Sequence, residues 1–265
     1  MQNPLYQRFR EHIKNFEEHL DKSTSKSNAE PIHELRLSIK KIRALSLILK
    51  KLPIENPQVQ QLLEQVKPIF KKAGNIREPQ VFISLAKNLS KYPGQLFGYL
   101  KNQEVRAREK YKEQLENFDL TKWSQRTSSI LSTIESLNIN KVIECAMAIV
   151  DDKNSKIEKL VSKKNRKYHK IRKQLKVNQE ILLLLREMKS SPDVSDERET
   201  VKDLASLLGE WHDFKELQDV IYNYAKNNGL SFNSKKLVEN IRIKRGKLEN
   251  QIDDILKREQ TLSAI

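Results

Sequence analysis

The chain has 265 residues, enough for one large domain or two modest ones, each with an apolar core. Six glycines and eight prolines punctuate a sequence rich in Lys, Glu, Leu, Gln and Ile, which favours long helices over many short strands. The single cysteine excludes an intrachain disulfide or a cysteine-based metal cluster. Fifty Lys and Arg against 35 Asp and Glu leave a formal charge of +15, a field that attracts polyanions.

Apolar residues recur at helical spacing over residues 4–21, and the polar run Asp21-Lys22-Ser23-Thr24-Ser25-Lys26-Ser27-Asn28 breaks the pattern. Pro31 suits the first turn of a second helix reaching about Lys51, which Pro53 and Pro57 end. A third helix is expected over 59–72, stopped by Gly74 as a C-terminal cap, and a fourth over 78–91. Beyond Pro93-Gly94, amphipathic stretches at 95–116 and 121–137 predict two more. The second half opens near Asn140 and is densely basic between Lys153 and Lys176. Its next helix carries Ile181-Leu182-Leu183-Leu184-Leu185 and ends at Ser190-Ser191-Pro192-Asp193. Two helices meeting near Gly209, a break at Asn227-Asn228-Gly229 and a last helix over 234–259 complete an all-α chain of about ten helices. Cys145, in an apolar run, reads as a buried small hydrophobe, and Trp123 and Trp211 read as core anchors.

An internal repeat organises this series. His33-Glu34-Leu35-Arg36-Leu37-Ser38-Ile39-Lys40 and His169-Lys170-Ile171-Arg172-Lys173-Gln174-Leu175-Lys176 share the pattern His-x-(Leu/Ile)-Arg-x-x-(Leu/Ile)-Lys. Downstream, Gly74-Asn75-Ile76-Arg77-Glu78 aligns with Gly209-Glu210-Trp211-His212-Asp213, and the distance between the two motifs differs by one residue between copies. The chain therefore reads as two related halves, about 1–138 and 139–265, each of four to five helices. On a helix His33, Arg36, Lys40 and Arg43 fall within roughly 80° of arc, a cationic stripe beside the apolar face of Leu35, Ile39, Ile42, Leu45 and Leu49. His169, Arg172 and Lys176 repeat the stripe beside Ile171, Leu175, Leu182 and Leu185, and Lys163, Lys164, Arg166, Lys167, Lys170 and Lys173 thicken the charge. His12 and His19 read as structural or exposed, and Arg8 and Arg10 as surface partners of Glu11 or Glu17.

These paired helices resemble the conserved histidine α-helical domain, or CHAD domain, over residues 5–260. The resemblance implies a compact bundle of two pseudo-symmetric halves with a basic central channel. It also implies a stand-alone protein that binds inorganic polyphosphate without chemistry on it, and no cofactor or metal is expected. The start Met1-Gln2-Asn3-Pro4 lacks a basic region followed by an apolar stretch, so the expected compartment is the reducing cytoplasm, in association with polyphosphate granules. Position by position the resemblance implicates His33, Arg36, Lys40, Lys41, Arg43 and Arg77 in the first half and Lys167, His169, Arg172, Lys173 and Lys176 in the second. His212 is either a ligand contact or a structural partner of Asp213. The sequence departs from the family at Val177, Asn178 and Gln179, which stand opposite Lys41, Ile42 and Arg43. It departs again at Glu78-Pro79, where the family places an aspartate-led run that Asp213 does match.

Linear polyphosphate asks for a row of cations, and Lys and Arg meet it with charge-assisted bonds. Phosphates also favour the cationic form of a nearby histidine, so binding is expected to tighten as pH falls towards about 6. RNA or DNA would compete for the same surface through counterion release, although no zinc-finger spacing, aromatic RNA-binding strand motif or basic-zipper pattern is present. A phosphohydrolase is the enzyme alternative. The chain lacks both a Gly-x-x-x-x-Gly-Lys-(Ser/Thr) loop and the Glu-x-Glu-x-Lys strand of the triphosphatase domains often fused to this family. Membrane insertion is not expected, because no apolar stretch reaches the ~18 residues it requires.

Overall fold

The computed structural model describes residues 3–23, 29–53, 56–89, 94–162, 167–189, 195–228 and 232–262. Among them are nine helices and no strand: α1 (Pro4–Lys22), α2 (Glu30–Lys51), α3 (Pro57–Leu89), α4 (Gly94–Glu116), α5 (Leu120–Glu135), α6 (Ile139–Val161), α7 (Tyr168–Lys189), α8 (Ser195–Asn228) and α9 (Phe232–Leu262). None of the described helices is long and apolar enough to cross a membrane. The breaks expected at 24–28, Pro93, 190–193 and Gly229, and the basic residues Lys163, Lys164 and Arg166, lie outside the described residues.

Local chemistry starts several helices where expected. Pro4 and Pro31 occupy the first turns of α1 and α2, where a missing N–H costs nothing. The Asn3 side-chain oxygen accepts from the Leu5 N–H at 3.0 Å, and its amide nitrogen donates to the Ile134 carbonyl at 3.1 Å, tying the start of α1 to the end of α5. Asp119 caps α5 by accepting from the Lys122 N–H at 2.8 Å.

Two expected helix ends are absent. α3 runs through Pro68, Gly74 and Pro79, and α8 runs through Gly209, so neither glycine is a cap and two pairs of expected helices become two long ones. Each mid-helix proline forgoes a backbone hydrogen bond and a helical glycine costs about 1 kcal/mol against alanine, so burial of the surrounding apolar face has to offset both. Gly74 and Gly209 are themselves buried.

The chain forms two compact units that each draw on both sequence halves. Unit 1 comprises Met1–Arg77, Val105–Ser155 and Val177–Val194, and unit 2 comprises Glu78–Glu104, Lys156–Lys176 and Ser195–Ile265. In unit 1, α2 buries the expected face of Leu35, Ile39, Ile42, Leu45 and Leu49, and α1 packs on α2 and α5. Full burial of each such side chain is worth about 1.5–3 kcal/mol. Trp123 completes this core at 1% exposure, its Nε1 donating to Glu17 at 2.8 Å. In unit 2, α8 packs on α9, and Ile171, Leu175, Leu208, Trp211 and Leu217 sit among its buried residues. The apolar face of α7 thus serves two cores. Ile171 and Leu175 belong to unit 2, Ile181, Leu184 and Leu185 to unit 1, and Leu182 is only partly buried. Cys145 is half-buried against the unit 1 core, a correction to the fully buried role expected of it.

Unit 1 also encloses a polar network that sequence alone misassigned. Arg8 pairs with Glu180 at 3.0 Å and bidentately with Glu187 at 2.7 Å, and not with Glu11 or Glu17 on its own helix. His12 is buried, with Nε2 2.8 Å from the same Glu180 oxygen. Burial pushes the Glu180 carboxyl up, but the hydrogen bond and charge of His12, then Arg8 and Lys41, outweigh it and hold the carboxyl below its ordinary range. A depressed folded-state value means that this stabilisation is present above the unfolded carboxyl pKa, ~4.3, and is lost as pH falls through the folded value. Glu180→Ala leaves buried His12 without its partner and Arg8 with Glu187 alone, and chemical denaturation should show a loss of about 1–3 kcal/mol at neutral pH.

Candidate anion-binding site

In unit 1 the first motif of α2 meets the second motif of α3. Arg36 Nη1 donates to the Phe70 carbonyl at 2.5 Å, and its guanidinium lies 4.2 Å from the centre of the Phe70 ring. Arg43, two turns on, places its guanidinium 4.3 Å from the same ring, and burial lowers its pKa. Phe70 therefore holds two arginines in place through its π face. The guanidinium of Arg36 also lies against Gly74, where any Cβ would collide with Nη1. The glycine is there because the arginine needs the helix backbone bare at that point. Exposed His33 and Lys40 share the stripe, and the His33 pKa is lowered by burial first and by Arg77 next, which places Arg77 in the same field. The Lys41 charge acts on the Glu180 carboxyl.

In unit 2 the second copy repeats the arrangement with different chemistry. Arg172 of α7 lies over Gly209 of α8, its Nε 3.3 Å from where a Cβ would stand. His169 and His212 come together, ring centroids 4.4 Å apart with planes tilted by 45°. The Lys176 ammonium is lowered by burial and by Arg172, and Lys173 acts on both histidines. Lys167, His169 and His212 line a pocket of about 340 Å³ with Tyr168, Trp211, Lys215 and Glu216. Among the described residues, His169 Nδ1, His212 Nδ1 and Arg172 Nε are buried without a hydrogen-bond partner. Glu216 approaches His212 Nδ1 only to 3.8 Å, too far for a hydrogen bond. Burial is the main reason the His212 pKa falls to about 4, followed by His169, Arg172, Lys215 and Lys173. Burial, Lys173, Arg172 and Lys215 lower His169 as well.

The copies correspond residue by residue: His33 with His169, Arg36 with Arg172, Lys40 with Lys176, Gly74 with Gly209, and Arg77 with His212. His212 lies against His169, and its Nδ1 is buried without a hydrogen-bond partner. The second stripe stops at Lys176 because the next positions face the unit 1 core. Val177 packs there, and Asn178, 2% exposed, donates to the Asn154 side-chain oxygen at 2.7 Å. Gln179 replaces Arg43, and Ala205 stands where Phe70 stands in the other copy, so the guanidinium and its ring are missing together. Sequence reading passed over Phe70 and Lys215. An aromatic one turn before the motif glycine was the signal for Phe70, and a lysine one turn after His212 was the signal for Lys215. Trp211 is a core anchor as expected, with Nε1 donating to Glu249 at 2.7 Å and Tyr168 packed edge-on at 5.0 Å.

The family model for the CHAD domain matches residues 7–221, most of the chain. This protein belongs to the CHAD domain family. The fold agrees. A CHAD domain from the plant Ricinus communis superposes with a TM-score of 0.68 at 11% identity, over 99% of this chain and 91% of that one. PptA from Streptomyces chartreusis superposes with a TM-score of 0.59, also at 11% identity, over the full length of both chains. At such identity the likeness is one of fold alone. No curated protein matches this sequence.

Two measurements check this geometry. Gly74→Ala adds a methyl that evicts the Arg36 guanidinium while improving helix propensity by about 1 kcal/mol. Thermal stability should therefore stay within about 1 kcal/mol of the parent, while the Arg36 side-chain N–H resonance moves to a solvent-exposed position. In a histidine NMR titration of the free protein, His212 should remain neutral until about pH 4, where an unperturbed histidine titrates near ~6.5.

Proposed function

We propose that this CHAD protein binds inorganic polyphosphate through the cation clusters of its two repeats and performs no chemistry on it. One observation carries the reading. The two copies of one sequence motif fold into matched clusters, each seating an arginine over a helical glycine beside a histidine and further cations. A single arginine on a bare helix backbone has a local explanation, whereas the same device built twice matches a ligand that repeats its own charge. Polyphosphate does so along its whole length, and a long flexible chain can engage two clusters whatever their separation. The proposed ligand residues are His33, Arg36, Lys40, Lys41, Arg43 and Arg77 in unit 1, with Lys167, His169, Arg172, Lys173, Lys176 and His212 in unit 2.

Support also comes from a polar atom left without a partner. Buried donors usually find acceptors inside the protein, and Arg172 Nε in unit 2 does not. Phosphate oxygens provide acceptors of the right kind. Among the described residues the aromatics beside these cations are already engaged, Phe70 with Arg36 and Arg43 and Trp211 with Tyr168 and Glu249, which favours polyphosphate over a single-stranded nucleic acid that would need stacking faces. Such a binder suits the targeting or organisation of polyphosphate granules.

The test is a salt titration of affinity for long-chain polyphosphate, with RNA as competitor and Arg36→Ala and Arg172→Ala alongside. Log affinity should fall linearly with log salt, and each substitution should weaken binding by about tenfold or more and flatten the slope. Displacement of polyphosphate by RNA at equal phosphate concentration would instead establish the nucleic-acid reading.

A further inference from the structure

Resting on the polyphosphate reading, the geometry points to a division of labour between the repeats. The unit 2 cluster is a proton-coupled anion site that takes up a proton on the His169–His212 pair when phosphate binds, whereas the unit 1 cluster, with Arg77 in place of His212, is charged before the ligand arrives.

The argument starts from the ring pair. Two imidazoles 4.4 Å apart repel each other when both are protonated, and cations crowd them from two helices: Arg172 and Lys173 on α7, and Lys215 on α8. Glu216 stands 3.8 Å from His212 Nδ1, and Lys215 holds that carboxylate at 4.0 Å and Asp219 at 2.5 Å. Charged groups of α9 that pack on α8 beside His212 are already engaged. Arg245 and Glu249 hold Trp211, and Lys244 pairs with Glu210 at 3.3 Å. The empty cluster thus offers His212 little reason to hold a proton, which agrees with its low pKa. A phosphate in the adjoining pocket reverses the field. It pairs with Lys167 and Lys215, which line the pocket beside the two rings, and accepts from an imidazolium, so the charged form becomes the favoured one. On protonation, a shift of under an ångström by Glu216 closes a hydrogen bond from Nδ1–H, leaving Nε2–H to donate to the phosphate.

Unit 1 has no such step at the matching position, because an arginine does not lose its proton in proteins. Arg77 instead lowers His33, whose side chain is far more open to water than that of His212. The repeats therefore differ at one residue in what they ask of pH.

The sign follows from linkage. Phosphate raises the His212 pKa above its free value of about 4, so affinity is greatest below that value and falls as pH rises through the bound-state pKa. Within the window the change approaches about tenfold per pH unit for each proton taken up.

The test is calorimetry of the full chain with long-chain sodium polyphosphate at about pH 6.5, the ordinary histidine pKa, in buffers of low and high ionisation enthalpy. Long chains keep end-group titration small. The wild-type protein should take up protons on binding, and His33→Gln should keep most of that uptake. His212→Arg should bind with uptake largely lost and affinity nearly flat with pH, and Arg77→His should gain uptake. His212→Gln, which adds no charge, should lose both the uptake and the gain in affinity at low pH; far-UV circular dichroism shows whether each variant is folded. Wild-type binding without buffer-dependent heat overturns this inference and leaves the polyphosphate reading standing, as does uptake unchanged in both His212 variants. Absence of wild-type binding at low salt overturns both.

Discussion

A guanidinium that packs against the backbone of a neighbouring helix needs that helix to have no side chain at the point of contact. Arg36 over Gly74 and Arg172 over Gly209 meet this requirement twice, and much of the site follows from it. With the arginine seated, the helix carrying it is held in rotation. The residues three before and four after, His33 and Lys40 or His169 and Lys176, then fall along the same edge. The same contact fixes the motif residue three beyond the glycine, Arg77 or His212, close enough to act on the histidine of the first motif. Lysine would not serve at the arginine position, because a point charge on a flexible stem neither lies on a bare backbone nor spreads over a ring as Arg36 does over Phe70.

Gathering cations has a cost that the structure displays. Arg43, Lys176, His33, His169 and His212 all have pKa values displaced towards the neutral form, with burial the leading cause in each. Self-repulsion of this kind destabilises the folded state, and an anion that binds only that state returns the stability by mass action. Conventional hydrophobic burial carries the fold meanwhile. Each unit has its own apolar core, and in unit 1 the cations Arg8 and His12 converge on Glu180, which offsets their charge.

The sequence by itself determined the helical class, the repeat and the stripes. Those depend on residues a few positions apart on one helix, and period and spacing report them directly. All five apolar positions assigned to α2 are buried, and the pairing of Gly74 with Gly209 located both arginine seats before their purpose was visible. Tertiary structure decided what local rules misjudge. A glycine inside a helical pattern reads as a stop because propensity is local, yet α3 and α8 continue through theirs, since the gain from packing exceeds the roughly 1 kcal/mol that glycine costs. Arg8 looked like a surface partner of Glu11 because nothing nearby in sequence announces Glu180, 172 residues away. The meeting of His169 with His212 was equally hidden. Whether a histidine is charged depends on its neighbours in space, and those are chosen by how α7 packs on α8.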